Sequence, residues 1–213
     1  MPGELELELK YRADGEESLR ALAAIARLGE AELGPPSAVD EVDRYLDTPS
    51  GDLSRARWAC RLRTREGRTI VSLKGPAQHA AGDALHRRPE VEGPAGSGLD
   101  PAAWPDSPAR DLLMRLSGSA RPLAERVVLQ QRRTEREARL GGRPLGTLSL
   151  DVVSVRHADG PLGVLHLVEL ELAAHAEPLA DALAAALAAR QGLQADPHSK
   201  LEHALALLDA VRP

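Results

Sequence analysis

Near its N-terminus the chain alternates acidic residues with leucine, beginning at Glu4-Leu5 and ending at Leu9-Lys10. Successive side chains of a β-strand point to opposite faces, so the charged residues share one face and the leucines the other. The leucines must pack against apolar groups, which leaves the carboxylates facing solvent or a polar interior. An antiparallel strand with one solvent-exposed face gives the same alternation. The rest of the chain must therefore decide what this acidic face contacts.

Composition limits the choice of fold and partner. The chain has 213 residues, a formal net charge of -5, no Phe, two Trp and two Tyr. This length suits one β-barrel domain, and we expect residues 1–213 to form a single domain. The negative charge and the scarcity of rings argue against nucleic-acid and anionic-membrane partners. Cys60 is the only cysteine, no apolar run reaches membrane-spanning length, and the N-terminus does not resemble a signal peptide, so the sequence predicts a cytoplasmic protein.

Alternation and turn signals predict an α+β fold in which roughly eight strands close into an antiparallel β-barrel with flanking helices, because closure removes exposed edges. The predicted strands are the opening ladder, 42–47, 58–64, 69–74, 88–92, 127–137, 146–155 and 164–172. The predicted helices are 16–28 with Asp14 as its cap, 108–116 after Ser107, 179–190 and 198–208. The predicted turns are Glu66-Gly67, Gly141-Gly142 and Asp159-Gly160. The remainder of 75–105 is predicted to be loop.

Placing the apolar residues of each strand outward puts a large polar set inside the barrel. The set is Glu4, Glu6, Glu8, Lys10, Arg12, Arg61, Arg63, Arg65, Ser72, Lys74, Arg88, Glu90, Glu92, Gln131, Arg133, Asp151, Glu169 and Glu171. Uncompensated buried charges are costly, so such an interior must contain water and a ligand. A magnesium-bound polyphosphate suits it, because acids hold the metal while Arg and Lys bind phosphate oxygens.

These residues also form an ordered set of motifs that resembles the CYTH superfamily of triphosphate tunnel metalloenzymes. The set begins with the family signature Glu-x-Glu-x-Lys at Glu6, Glu8 and Lys10 and continues in the family's order to about residue 208. The later motifs are Tyr45-Leu46-Asp47-Thr48, Arg61-Leu62-Arg63, Ser72-Leu73-Lys74-Gly75, Arg88-x-Glu90-x-Glu92, Arg133-Thr134, Asp151, Glu169-Leu170-Glu171 and Ser199-Lys200. The chain departs from the family at Gln131, where relatives often have a basic residue, and at Leu201, where an aromatic residue is frequent.

The resemblance implies a tunnel that binds a linear triphosphate with Mg²⁺ or Mn²⁺ and hydrolyses a phosphoanhydride bond. It assigns the metal to Glu6, Glu8, Glu169 and Glu171, with Asp151 as a further candidate. The implied phosphate contacts are Lys10, Arg61, Arg63, Lys74, Arg88, Arg133 and Lys200. Glu90 and Glu92 would support these bases or bind a second metal. The catalytic set is then Glu6, Glu8, Lys10, Glu169 and Glu171, with Lys10 and the nearby acids as candidates for orienting water.

Three functions stay open at this point. The first is hydrolysis of inorganic tripolyphosphate, with a small triphosphate or polyphosphate as the only expected partner. The second is a class IV-like adenylate cyclase or a thiamine triphosphatase, which must also hold an organic group and usually recruits a stacking ring. The third is a non-catalytic polyphosphate-binding module, which would not need so many carboxylates. The sequence leaves the oligomeric state open.

Other reactive residue types have simpler interpretations. The chain has no Gly-x-x-x-x-Gly-Lys-[Ser/Thr] phosphate loop. His198 and His203 are five residues apart without a Cys or third His nearby, which favours surface or capping roles over zinc binding. Cys60 falls on the apolar side of its strand, which predicts a buried structural thiol.

Overall fold

The computed structural model describes residues 4–77, 84–118 and 122–211. Within these ranges the elements, in chain order, are β1 (Glu4–Ala13), α1 (Glu16–Ala24), β2 (Arg27–Leu28), β3 (Ala31–Leu33), β4 (Ser37–Asp47), α2 (Asp52–Arg55), β5 (Ala59–Arg65), β6 (Arg68–Lys74), β7 (Leu85–Pro94), α3 (Pro108–Ser117), β8 (Ala124–Leu140), β9 (Arg143–His157), β10 (Gly160–Leu172), α4 (Ala180–Ala188), β11 (Leu193–Ala195) and α5 (Lys200–Val211). Short 3-10 helices at Pro101–Ala103 and Ala174–Leu179 precede α3 and α4. No helix of the described residues is both long and apolar enough to cross a membrane.

Eight strands form a closed antiparallel barrel. Their order is β8-β4-β5-β6-β7-β1-β10-β9, and β9 pairs in turn with β8. The β2–β3 hairpin continues the sheet from β8, and β11 pairs with β1. The predicted fold class, an α+β fold with an eight-stranded antiparallel barrel and flanking helices, is confirmed.

The tight hairpin turns follow from local sequence. Glu66 and Gly67 have φ values of 50° and 75° between β5 and β6, as a two-residue turn with positive φ at both central residues requires. Gly141 and Gly142, at φ 57° and 79°, do the same between β8 and β9. The turn predicted at Asp159-Gly160 lies one residue earlier, at Ala158-Asp159, because Gly160 already pairs with His157 as the first residue of β10. Ser107 caps α3 by accepting a hydrogen bond from the Arg110 amide, as its sequence predicts.

The predicted helix 16–28 is too long. It ends at Ala24, and its N-cap is Gly15 without a side-chain cap, so the Asp14 prediction is wrong. Arg136 explains the early end: its guanidinium donates to the carbonyl oxygens of Ala23 and Ile25. Carbonyls in the last turn of a helix have no partner within the helix, so this side chain satisfies them and the chain continues extended into β2.

The region 75–105 contains more strand than predicted. β7 runs from Leu85 to Pro94 because β1 and β6 pair with it on either side. The loop prediction for 85–87 and 93–94 is therefore wrong, and its part at 78–83 lies outside the described residues.

Two apolar clusters lie outside the barrel wall. The leucines of both acidic ladders, such as Leu9 and Leu170, pack against α1 and α4. Leu62 and Leu73 pack against Leu113 of α3. The apolar face of these strands thus points outward, as predicted.

A third apolar cluster reverses that rule at one end of the barrel. Leu129, Val153 and Leu167 have the same parity as the polar inward residues of β8, β9 and β10, and they pack against Ala204 and Leu208 of α5. Along these three strands the inner face changes from charged to apolar. Helix α5 therefore fills the apolar end of the barrel, a feature that the parity argument did not predict.

Candidate active site

The charged half of the barrel encloses a cavity of about 480 Å³. Fourteen residues predicted from the sequence line it, namely Glu6, Glu8, Lys10, Arg61, Arg63, Arg65, Lys74, Arg88, Glu90, Glu92, Arg133, Glu169, Glu171 and Lys200. The strands thus bring nearly all of the candidate site together, although the role of each residue stays a prediction.

Five residues of the predicted inward set are not among the described residues that line the cavity, and one of them, Asp151, is fully buried. Arg12 is exposed and donates to Gln194 Oε1 at 3.2 Å, on the part of β1 that is bordered by the short strand β11 instead of β7. The inward prediction for Arg12 is therefore wrong. Ser72 and Gln131 are buried among the charged side chains, and Gln131 donates to acids of β4. The side chain of Glu4 lies outside the described part of the chain.

An acidic group forms where β1 and β10 pair. Glu8 lies directly opposite Glu171, and Lys10 opposite Glu169. Like charges directly across an antiparallel pair are destabilising. Among the described residues the Glu171 side chain has no hydrogen bond or ion pair, and burial together with the Glu6 charge raises its pKa. This part of the wall therefore has surplus negative charge.

Bases from neighbouring strands hold the β1 acids. Arg88 donates to both Glu6 and Glu8, each at 2.7 Å. Lys74 contacts Glu6 at 2.5 Å, and Lys10 contacts Glu8 at 2.9 Å. Although burial by itself would raise the pKa of Glu6, the charges of Lys74 and Arg88 hold it well below the usual range. Glu6 is therefore held by two bases, and its predicted role as a metal ligand stays a prediction.

A second group joins β8, β9, β10 and the start of α5. The Arg133 guanidinium donates to both carboxylate oxygens of Asp151 at 2.8 Å and to Glu169 at 3.0 Å. Lys200 Nζ lies 2.6 Å from Asp151 and 2.9 Å from Glu169. Burial opposes ionisation of Glu169, but Lys200, Lys10 and Arg133 together hold its pKa well below normal. Asp151 is fully buried against two bases, and its predicted role as a metal ligand stays a prediction.

Arg61 is the base with the loosest carboxylate contacts in this network. Its Nε donates to Ser72 at 3.1 Å, but its Nη atoms lie 3.7 Å from Asp43 and 3.8 Å from both Glu90 and Glu92. These distances exceed hydrogen-bond length. Its guanidinium can therefore turn to an anion in the cavity without first breaking a tight ion pair.

The supporting acid Glu90 is incompletely satisfied. Its Oε1 is buried without a hydrogen-bond partner in the described residues, 3.3 Å from Lys74 Nζ. Burial raises its pKa to about 7, with Lys74 opposing the rise and the Glu6 charge adding to it. A buried oxygen in this condition is a ready ligand or hydrogen-bond acceptor.

Sequence reasoning missed a third acidic group. Asp43 accepts both 2.7 Å bonds from Arg63, Glu135 accepts both 2.8 Å bonds from Arg65, and Glu41 is buried between these pairs. Strand alternation could have predicted Glu135, because it lies on the same face of its strand as Arg133. Glu41 stands one residue before the predicted start of its strand.

The donor set fits a hard divalent cation. Glu6, Glu8, Glu169 and Glu171 present only carboxylate oxygens, the ligands that Mg²⁺ and Mn²⁺ prefer. The unpaired Glu171, opposite Glu8, supplies negative charge that a cation would neutralise. The other three carboxylates of this set, Glu6, Glu8 and Glu169, already contact bases.

Sequence comparison assigns the family. A family model of the CYTH domain matches residues 4–205. The chain belongs to the CYTH domain family. No curated protein matches it significantly.

Solved structures share the CYTH barrel along most of the chain. A proposed adenylyl cyclase from Hippeastrum with a dominant triphosphatase activity has a TM-score of 0.71 at 16% identity, covering 94% of this chain and 95% of its own. A proposed adenylate cyclase from Bacillus halodurans has a TM-score of 0.60 at 19% identity, covering 93% and 97%. The PH1819 protein from Pyrococcus horikoshii has a TM-score of 0.51 at 19% identity, covering 94% and 98%. Identities this low support likeness of fold alone.

Aromatic residues contribute little to the cavity of this CYTH barrel. Tyr45 is the only ring among the described residues that line it. Trp104 is buried beneath α3, where its Nε1 donates to the Gly98 carbonyl, and Trp58 packs against the same apolar cluster. The two indoles are therefore part of the structural core.

The single cysteine is structural, as predicted. Cys60 is buried on the outer, apolar side of β5. Burial and the charge of Asp47 raise the pKa of its thiol to about 12. The protonated thiol is therefore a poor nucleophile.

Proposed function

We propose that this CYTH protein hydrolyses a phosphoanhydride bond of inorganic tripolyphosphate with Mg²⁺ or Mn²⁺ as cofactor. One observation carries the proposal: a partly open, charged cavity is lined by the unpaired, solvent-exposed carboxylate of Glu171 and by the loosely held guanidinium of Arg61. A metal-bound polyphosphate would supply a cation to pair with Glu171 and an anion to pair with Arg61. Family membership and the triphosphatase activity named for the Hippeastrum relative support the same reaction class.

The bases would bind the phosphates by exchanging carboxylate oxygens for phosphate oxygens. Arg61 is the first candidate because its Nη atoms have only distant partners. Arg88 and Lys74, now on Glu6, would follow as a cation draws the carboxylate away. The further phosphate contacts are Lys10, Arg63, Arg133 and Lys200. Their guanidinium and ammonium groups match phosphate geometry and charge.

The acids of β1 and β10 would hold the cofactor. Glu6, Glu8, Glu169 and Glu171 are the proposed ligands, and Glu90 and Glu92 support the bases beside them. When bound, a divalent cation neutralises phosphate charge and lowers the pKa of bound water. The residues themselves fix the substrate and orient the attacking water, a task for which Lys10 and the nearby acids are the candidates. No covalent nucleophile is required.

The walls of the cavity favour an inorganic substrate. Nucleobase and thiazole groups usually stack on aromatic rings, whereas Tyr45 is the one ring on the described wall and is itself buried. The apolar end of the barrel, where an organic group would find apolar contacts, is filled by α5. These features support tripolyphosphate hydrolysis as the first candidate, with adenylate cyclase and thiamine triphosphatase activity as the alternatives.

The test compares three substrates on the purified protein. Tripolyphosphate, ATP and thiamine triphosphate are each incubated with Mg²⁺ or Mn²⁺, and phosphate, pyrophosphate and cyclic AMP are measured. We expect phosphate release to be fastest from tripolyphosphate and to require the metal. Cyclic AMP with pyrophosphate as main products, or bound tripolyphosphate without turnover, would refute the proposal.

Matched variants then locate the metal. Glu171→Gln keeps the shape of the side chain but removes a ligand, so activity should fall at least about tenfold and recover partly with excess metal. Glu32→Gln is the control, because Glu32 is an exposed acid whose partner is Arg27, away from the cavity. Equal metal titrations for both variants would contradict the assigned ligands.

A further inference from the structure

A second ligand cluster lies outside the cavity, in the segment that joins β11 to α5. The Asp196 carboxylate contacts His203 Nε2 at 2.7 Å through Oδ2, and its Oδ1 lies 3.6 Å from His198 Nδ1. One ligand atom from each of the three residues lies within 4.8 Å of the others. The cluster thus offers two imidazoles and one carboxylate to a single point.

The carboxylate at its centre is held in place. The Asp196 amide donates to the Lys10 carbonyl, and His86 Nε2 lies 2.9 Å from the Asp196 carbonyl oxygen. The His198 amide donates to Asp196 Oδ1 at 3.0 Å. These contacts fix the residue against β1 and β7, so the carboxylate is positioned before any ion binds.

The charge of Asp196 is compensated differently from that of the cavity acids. Its side chain is 6% exposed, and in the described ranges no Lys or Arg lies within ion-pair distance of it. Asp151, which is also buried, contacts both Arg133 and Lys200. Buried charges are normally paired or coordinate a metal. Among the described residues, the groups in contact with the Asp196 carboxylate are the His198 and His203 imidazoles and the His198 amide.

We propose that Asp196, His198 and His203 bind one zinc ion, with a fourth coordination position left for water. Imidazole ligands suit zinc, whereas Mg²⁺ prefers oxygen alone, which separates this site from the carboxylate group in the cavity. Zinc–ligand bonds of about 2.0–2.2 Å at tetrahedral angles separate ligand atoms by roughly 3.3–3.6 Å. One ligand atom from each of the three residues already lies within 4.8 Å of the others, so side-chain rotation without movement of the backbone is expected to bring them into this range.

The position of the site gives it a structural consequence. His198 precedes α5 and His203 lies in its first turns, so an ion bound by both spans Ser199 and Lys200. Lys200 reaches from the same turn to Asp151 and Glu169. Zinc would therefore fix the start of the helix that fills one end of the barrel.

The experiment measures zinc binding by isothermal titration calorimetry on chelator-treated full-length protein in excess Mg²⁺, which occupies the oxygen ligands. Cobalt absorption spectra report imidazole coordination independently. We expect one zinc ion per chain and at least about tenfold weaker binding in His198→Gln, since even outer-shell changes cost about 10–100-fold. His198 is exposed, so this variant should fold, and its melting temperature without metal verifies that.

Two control variants distinguish zinc binding at this cluster from binding at another histidine or in the cavity. His157→Gln removes the imidazole that contacts Asp159 at 3.0 Å, a pair that is not part of the Asp196–His198–His203 cluster. This variant should bind zinc normally. Glu6→Gln alters the cavity and should also bind zinc normally. Wild-type affinity in His198→Gln, loss of zinc in Glu6→Gln, or no zinc binding by the wild-type protein would overturn the proposal.

Discussion

Replacing Asp151 by Asn tests whether this buried acid positions bases or binds metal. Its carboxylate accepts two bonds from Arg133 at 2.8 Å and one contact from Lys200 at 2.6 Å. Asn has one oxygen to offer these donors, and its amide nitrogen would face a cationic group. We therefore expect Asp151→Asn to loosen both bases without removing a metal ligand.

The stability cost follows from the burial of this ion pair. Removing one partner of a buried pair costs about 3–5 kcal/mol. Glu169 remains within 3.0 Å of Arg133 and 2.9 Å of Lys200, so the loss should lie near the lower value. For a protein of this length, about 3 kcal/mol corresponds to a fall in melting temperature of roughly 6–12 °C.

The assay combines thermal unfolding with steady-state kinetics at several metal concentrations. We expect a lower melting temperature, a higher KM for tripolyphosphate, and an unchanged metal concentration at half-maximal rate. Asp159→Asn is the control, because that carboxylate is exposed and its loss should change stability by less than about 0.5 kcal/mol. A higher metal requirement that excess metal rescues, with little loss of stability, would instead identify Asp151 as a metal ligand.

Three further predictions concern the barrel wall. Cys60 should stay unreactive toward a thiol reagent at about pH 8 until denaturant is added, because burial and the Asp47 charge raise its pKa to about 12; rapid labelling of the native protein would contradict this. Leu208→Ala should lower the free energy of unfolding by about 2–5 kcal/mol in urea titrations, since Leu208 is buried in the inner apolar cluster. A change well below about 2 kcal/mol would mean that α5 does not fill the barrel end. Burial opposes ionisation of Asp43, but Arg61 and Arg63 hold its pKa well below 3.8, so its contribution to stability is complete above that value and is lost as the pH falls. Asp43→Asn should therefore flatten the loss of stability between about pH 5 and pH 2, and an unchanged slope would contradict this assignment.

Local alternation made most of the site predictable. Glu6 and Leu7 alternate within one strand, and the leucine side packs outside the barrel, so the carboxylate must point inward. The same rule failed at the apolar end, because Leu129 has the inward parity of Gln131. Alternation separates two faces, but it does not say which apolar face meets a helix inside the barrel. That choice depends on where α5 packs, a long-range contact.

Other features depend on residues far apart in sequence. Arg136 ends α1 through carbonyl oxygens more than a hundred residues away, and no local pattern shows such a partner. The two histidines before and within α5 gave no metal signal, because the third residue of their cluster is an aspartate in a short extended segment. Asp196 takes its position from β1, which contributes the Lys10 carbonyl.

The acids and bases of the cavity belong to one site because neither set is stable there alone. Glu8 and Glu171 face each other across β1 and β10, a repulsion that bases relieve at Glu8 and not at Glu171. A cation alone would compete with Arg88 for Glu6 and Glu8, releasing positive charge into the cavity. A triphosphate alone would draw bases from their carboxylates and expose negative charge. Binding both together would leave each released group with a partner, and on the proposed function we therefore expect tripolyphosphate to bind more tightly in the presence of the metal than in its absence.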